Sequence, residues 1–220
     1  MTDRPIIFSA PMIRALIDGR KTQTRRLIKD RGFPPEYCGG RYDDRNDPEA
    51  WGWEDHDRGE WITLDKFRHY RFVPYAPGDR LWVREAFWEC DDCSHINHVE
   101  GANSAGIGDR KCCASCDAML PKPKKSPIHM PRRVSRLTLT VTDVRVQRVQ
   151  DISRGDAMDE GCPFANMADG PSPRDWFRHL WNSIHGPDAW DRNDWVAAYT
   201  FTVHRQNIDQ MGGDAPEPIQ

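Results

Sequence analysis

Lys21 and Thr24 stand three residues apart in GRKTQTRRL, Gly19 to Leu27, with Arg20, Arg25 and Arg26 around them. A threonine hydroxyl is a weak nucleophile until a base removes its proton, and a neutral lysine can serve as that base. An isolated lysine has a pKa of about 10.4, so substantial neutrality at pH 7 needs a depression of about 3 units, near 4 kcal/mol. Burial and the neighbouring guanidinium groups both push in that direction. On a continuous strand, residues three apart face opposite sides, so Lys21 can meet Thr24 only from a turn that precedes the strand. Beyond such a turn Thr22, Thr24 and Arg26 share one face. The same residues also read as a cationic edge strand, solvated or holding phosphate.

A second cluster has metal-ligand spacing. Cys90 and Cys93 form one C-x-x-C pair and Cys113 and Cys116 another, with nineteen residues between the pairs. That pattern suits a tetrahedral structural zinc site, each pair wrapping one side of the ion. Cys112 beside Cys113 leaves the register open, and His95 or His98 is able to replace one thiolate. His98-Val-Glu100 ahead of Cys113-x-x-Cys116 has the outline of a zinc-dependent base deaminase site. The segment between them is too short and glycine-rich to carry the helices of those enzymes, so the zinc is expected to be structural.

The elements that must position these groups are legible in outline. PIIF predicts a short strand, Ser9 caps a helix with Pro11 in its first turn, and Met12, Ala15 and Leu16 form its apolar face. Gly19 ends that helix, so the cationic run starts at a helix exit. Residues 30 to 76 carry no sustained period and are expected to form a tryptophan-rich ordered loop or small subdomain, with WGWEDHDRGEW as a packing or interaction loop. Pro77, Gly78 and Asp79 predict a turn into a strand bearing Leu81 and Val83, on whose other face Trp82, Trp88 and Arg84 share parity. Glu85 is expected to pair with a cation.

RLTLTVTDVRVQRVQ, residues 136 to 150, changes phase near Asp143, which predicts a bulge or a turn between two strands. Ser153 caps a short helix in ISRGDAMDEG. PRDWFRHLWNSI predicts a longer helix with Trp176, Phe177, Leu180, Trp181 and Ile184 facing the core, and DWVAAYTFTVHR predicts a closing strand. Short strands broken by three helices argue for a small barrel or α+β domain over a doubly wound sheet. His69, His129 and His185 have no partner that the sequence identifies.

Composition bounds the function classes. The chain has 220 residues, 30% of them charged, with nine tryptophans and seventeen prolines, and a formal net charge of -3. No global positive field draws it to a nucleic-acid backbone, so any phosphate or base recognition must be local. No apolar run approaches the roughly 20 residues that span a bilayer, and a cytoplasmic location is expected. Five of the seven cysteines fall between Cys90 and Cys116, which suits metal ligation in a reducing compartment.

GRKTQTRR after an amphipathic helix, PGDRLWV after it, and DISRGDAMDEG before the last helix together resemble the ASCH domain, a PUA-like β-barrel family. They are similar to its small bacterial members that hydrolyse N4-acetylcytidine. The resemblance covers residues 4 to 29, 76 to 89 and 134 to 205. It implies an α+β fold built on a small PUA-like barrel with flanking helices, spanning residues 1 to 207 as one domain, with insertions at 30 to 76 and 89 to 127 and a disordered tail at 208 to 220. The cysteine-rich insertion, a zinc-knuckle-like addition, resembles that of longer phage and prophage proteins.

The resemblance further implies Lys21, Thr24 and Glu160 as a catalytic set acting on a modified pyrimidine base or nucleoside. In that scheme Lys21 deprotonates Thr24, Thr24 attacks the acyl carbonyl, and Glu160 orients the lysine or hands a proton to the leaving nitrogen. Arg26 and backbone amides would stabilise the oxyanion, with Arg25, Arg84 and Trp82 as further substrate contacts. Activation of water by Lys21 and Glu160, with Thr24 only positioning it, is the alternative within this class. Outside it stand a non-catalytic reader of modified RNA or DNA bases, using Lys21, Arg25, Arg26, Arg84 and PKPKKSPIHMPRR on the backbone of RNA or single-stranded nucleic acid, and a ribonuclease with Lys21 as base.

Overall fold

The computed structural model describes residues 2–28, 35–39, 47–55, 59–63, 73–98, 106–107, 110–111, 115–116, 118, 124–164 and 170–212. Among these residues, twelve strands and three α-helices make a strand-rich α+β fold. The elements run β1 (Asp3–Ile7), α1 (Ala10–Ile17), β2 (Gln23–Leu27), β3 (Glu36–Tyr37), β4 (Trp51–Asp55), β5 (Glu60–Thr63), β6 (Arg80–Arg84), β7 (Phe87–Glu89), β8 (Ile96–His98), β9 (Gly106–Ile107), β10 (Arg110–Lys111), β11 (Thr138–Arg148), α2 (Arg154–Asp159), α3 (Pro173–His185) and β12 (Trp195–His204). The main sheet has the order β1-β6-β11-β12-β2, and among the described residues no ladder joins β1 to β2.

Two compact units divide the chain: Met1–Lys21, Gly78–Thr140 and Thr202–Gln220 form the first, Thr22–Pro77 and Val141–Phe201 the second. In the first, β1 runs parallel to β6 with Ile6 opposite Val83, and β6 runs antiparallel to β11 with Leu81 opposite Leu139. These alternating residues are buried, as the period of two requires. Helix α1 buries Ala15 and Leu16 as expected, and with them Ile13, while Met12 is half-buried at the margin of that face. Its exit is a glycine-terminated turn in which Gly19 (φ +74°) donates to Leu16 and Arg20 donates to Ala15.

In the second unit, β12 runs antiparallel to β2, placing Tyr199 opposite Thr24 and Ala197 opposite Arg26. Helix α3 buries Phe177 and Trp181 into a cluster with Val149, Ile152, Ala157, Trp190 and Val196. Ile184, expected in that core, is instead 52% exposed. Strand β11 continues unbroken through the phase change, which Thr142 and Asp143 accommodate as two consecutive exposed residues.

The tryptophan-rich segment contains the antiparallel sheet β3-β4-β5. Trp53 is buried, Trp61 is exposed, and Trp51 meets Trp195 edge-on at 6.2 Å. The Arg148 guanidinium lies 4.7 Å from the Trp51 ring and 4.2 Å from the Trp195 ring, a cation held between two π faces that fastens this segment to β12. At the other end of the chain, Ile208–Gly212 forms a short 3-10 helix with Ile208 buried, and residues beyond 212 lie outside the described ones. No helix among the described residues is long and apolar enough to cross a membrane.

Candidate functional site

Lys21 closes the first unit and is 0% exposed. Its backbone N–H donates to Ala15 at 3.1 Å, so it belongs to the helix exit and precedes β2, the turn position that a meeting with Thr24 requires. Its Nζ lies 5.7 Å from the centre of the Phe8 ring.

Strand β2 opens the second unit, and its two faces do different things. Gln23 and Arg25 share one face: Arg25 Nη1 donates to Gln23 Oε1 at 2.6 Å and to Glu160 Oε1 at 3.1 Å, and Nη2 lies 3.2 Å from Asp156 Oδ2. The Arg25 guanidinium is fully buried, with Phe177 5.7 Å away. Both carboxylates come from α2, where Asp156 and Glu160 are four apart and therefore on one helical face. Asp156 also fills the capping box with Ser153, which accepts from the Asp156 N–H at 3.0 Å.

Arg145 donates to Asp156 at 2.8 Å and Gln23 at 3.2 Å. Burial pushes the Asp156 carboxyl up, but Arg145, Arg25 and Gln23 outweigh it and bring the value to about 2. Arg25, expected to touch substrate or phosphate, is thus buried and ion-paired to two carboxylates of α2.

Thr24 and Arg26 lie on the opposite face of β2. Thr24 is 3% exposed, and Tyr199 stands across from it on β12. Tyr75 packs edge-on against Tyr199 at 5.2 Å. Burial pushes the Arg26 guanidinium down, opposed by Tyr75, Glu160 and Tyr199, which are close enough to act on it. Burial, with Tyr75, holds the Tyr199 phenol above its ordinary value, so its hydroxyl keeps its proton. His185 stacks at 4.2 Å on Trp181, and burial together with the Arg26 and Arg192 charges pushes its imidazole down, keeping it neutral at neutral pH.

Glu160 is 3% exposed, so Lys21, Thr24 and Glu160 are all withdrawn from water. The described contact of the Glu160 carboxylate is with Arg25. Sequence reasoning missed Asp156, Tyr75, Tyr199 and His185. Asp156 carried a signal, since it precedes Glu160 by one helical turn.

The remaining expected contacts lie in the first unit. Arg84 stacks at 5.1 Å on Trp82, two residues before it on β6, and donates to the Ile128 carbonyl. Glu85 is buried and accepts two hydrogen bonds from Arg136 at 2.8 and 2.9 Å, with His98 Nδ1 at 3.1 Å. Burial pushes its carboxyl up, but His98 and Arg136 overcome this and hold it below the ordinary range.

The Cys90, Cys93 and Cys116 sulfurs lie within 4.8 Å of one another, and the Cys90 and Cys116 sulfurs are 3.5 Å apart. Thiolates around one ion at about 2.3 Å stand about 3.8 Å apart, so the cluster can hold a metal. Cys112, Cys113 and Glu100 lie outside the described residues. His98, on β8, is turned to Glu85, and His95 is not among the clustered ligands.

No family model, curated protein or solved structure matches the chain.

Two outcomes follow. Asp156 has a folded pKa below its ordinary 3.8, so its contribution is complete above that value and is lost as pH falls towards about 2. Denaturant midpoints measured over that range should fall, and Asp156→Asn should flatten part of the fall; an unchanged slope would place the acid sensitivity elsewhere. Metal analysis of protein purified without chelator should find one thiolate-bound ion per chain, and Cys90→Ser should lose it with a drop in melting temperature.

Proposed function

We propose that this protein is an amidohydrolase of N4-acylated cytosine, as base, nucleoside or nucleotide, on a PUA-like barrel scaffold of the ASCH type. The observation that carries the reading is the burial of a lysine, a threonine hydroxyl and a carboxylate, Lys21, Thr24 and Glu160. A clamp for solvated phosphate would leave its cations at the surface.

In the reaction, Lys21 takes the Thr24 proton as the Thr24 oxygen attacks the acyl carbon. The carbon–nitrogen bond then breaks, and the exocyclic nitrogen leaves as the amine with a proton delivered from the Lys21 ammonium. Water cleaves the acyl-threonine ester, releases the carboxylic acid and restores the hydroxyl. Glu160 and Asp156 act through Arg25 as positioning residues that fix β2 from the face opposite Thr24. Arg26 supplies positive charge on the Thr24 face. The cysteine cluster takes zinc as a structural ion, bound by Cys90, Cys93 and Cys116 with Cys113 as the fourth ligand, and has no part in catalysis.

Turnover of N4-acetylcytidine, followed by the absorbance change on deacylation, tests the proposal. Wild-type protein should release cytidine, Lys21→Ala should lose at least about 100-fold in kcat, and Thr24→Ser should retain turnover. Full activity in Thr24→Ala would remove the nucleophile and leave water activation. Silence from folded, zinc-loaded protein across several N4-acyl groups would defeat the hydrolase reading in favour of a base reader, which salt-dependent oligonucleotide binding would reveal.

A further inference from the structure

Among the described residues Tyr199 is the largest fully buried side chain. The Tyr75 backbone approaches its oxygen as a donor, but among the described residues nothing accepts the hydroxyl proton. Buried hydroxyls are nearly always paired, and one that is not calls for an explanation. Packing alone would have been served by phenylalanine, which fills the same space without the polar atom.

The position of the ring narrows the explanation. In the antiparallel ladder Tyr199 is directly opposite Thr24, so both side chains leave the sheet on the same face, with Cβ atoms about 4.5–5.5 Å apart. Arg26 lies two residues further along that face, and its charge reaches the Tyr199 oxygen. The other face of β2 is occupied by the Gln23, Arg25 and Glu160 pairing. A nucleophilic hydroxyl, an orphan phenol and a guanidinium therefore share one side of a two-strand ribbon.

We propose that the Tyr199 hydroxyl donates to the substrate's acyl oxygen and stabilises the oxyanion formed when Thr24 attacks. This rests on the hydrolase reading and adds to it a specificity-determining contact. The phenol stays protonated at working pH, as a donor must, and in a site without bulk water its hydrogen bond strengthens as negative charge develops. The covalent steps are those already given, and Tyr199 neither gains nor loses a proton overall. Tyr75, edge-on at 5.2 Å, fixes the ring.

Tyr199→Phe separates this role from a packing role. The expected result is an unchanged or raised melting temperature, because an unpaired buried oxygen is removed, together with a fall of about 100-fold in kcat on N4-acetylcytidine and little change in KM. A folded variant with unaltered kcat would overturn the inference and leave the hydrolase standing. A variant whose melting temperature falls in step with its activity would also overturn it, by showing that the hydroxyl supports the fold. Wild-type protein is assayed first, and absence of turnover there would remove the hydrolase reading itself, and the inference with it.

Discussion

Everything on β2 depends on one buried cation. The Arg25 guanidinium has no contact with solvent and is held by Glu160 and Asp156 from α2. Removing one partner of such a pair costs about 3–5 kcal/mol, since the charge left behind stays buried. The pairing therefore fixes α2 against β2, and the Thr22 N–H reinforces it by donating to the Asp159 carbonyl at 2.8 Å. An edge strand that would otherwise present open backbone groups is closed at its start by this helix end.

This constraint divides β2 into a structural face and a chemical face. Gln23 and Arg25 meet α2, while Thr24 and Arg26 are presented with Tyr199 and Tyr75 on the other side. Because side chains alternate along a strand, locking one face sets the register of the other without any direct contact to it. The helix exit serves the same end. Gly19 turns the chain through a left-handed residue, so that Lys21 arrives before β2 rather than within it. Within one continuous strand, a lysine three residues before Thr24 would face the other side and lose the approach that the proposed chemistry needs.

Local signals in the chain carried most of the elements. Helix α1 with its glycine exit, the turn into β6, the Ser153 cap of α2, α3 and β12 all follow from periodicity, capping and turn residues acting over a few positions. The departures arise where tertiary packing overrides those signals. Met12 and Ile13 are equally apolar, and only the sheet beneath α1 decides which is buried. Ile184 fits the helical period but has nothing to pack against. Strand β11 absorbs its phase change by leaving Thr142 and Asp143 exposed in succession.

The site shows the same division. Lys21, Thr24 and Glu160 were legible as candidates from residue type and resemblance. The engagement of Arg25 was not, because its partner Glu160 lies 135 positions away, and charge in a sequence does not say whether it will be solvated or paired. Tyr199 looked like any strand aromatic in DWVAAYTF until the ladder put it opposite Thr24.

The central claim is that Lys21 is buried for chemistry and not for stability. Equilibrium unfolding of Lys21→Met tests it most directly, since methionine keeps the length and fills the space without the charge. The account predicts a variant that still folds cooperatively yet is unable to deacylate N4-acetylcytidine. A marked loss of stability with turnover retained would contradict it and make Lys21 a structural cation.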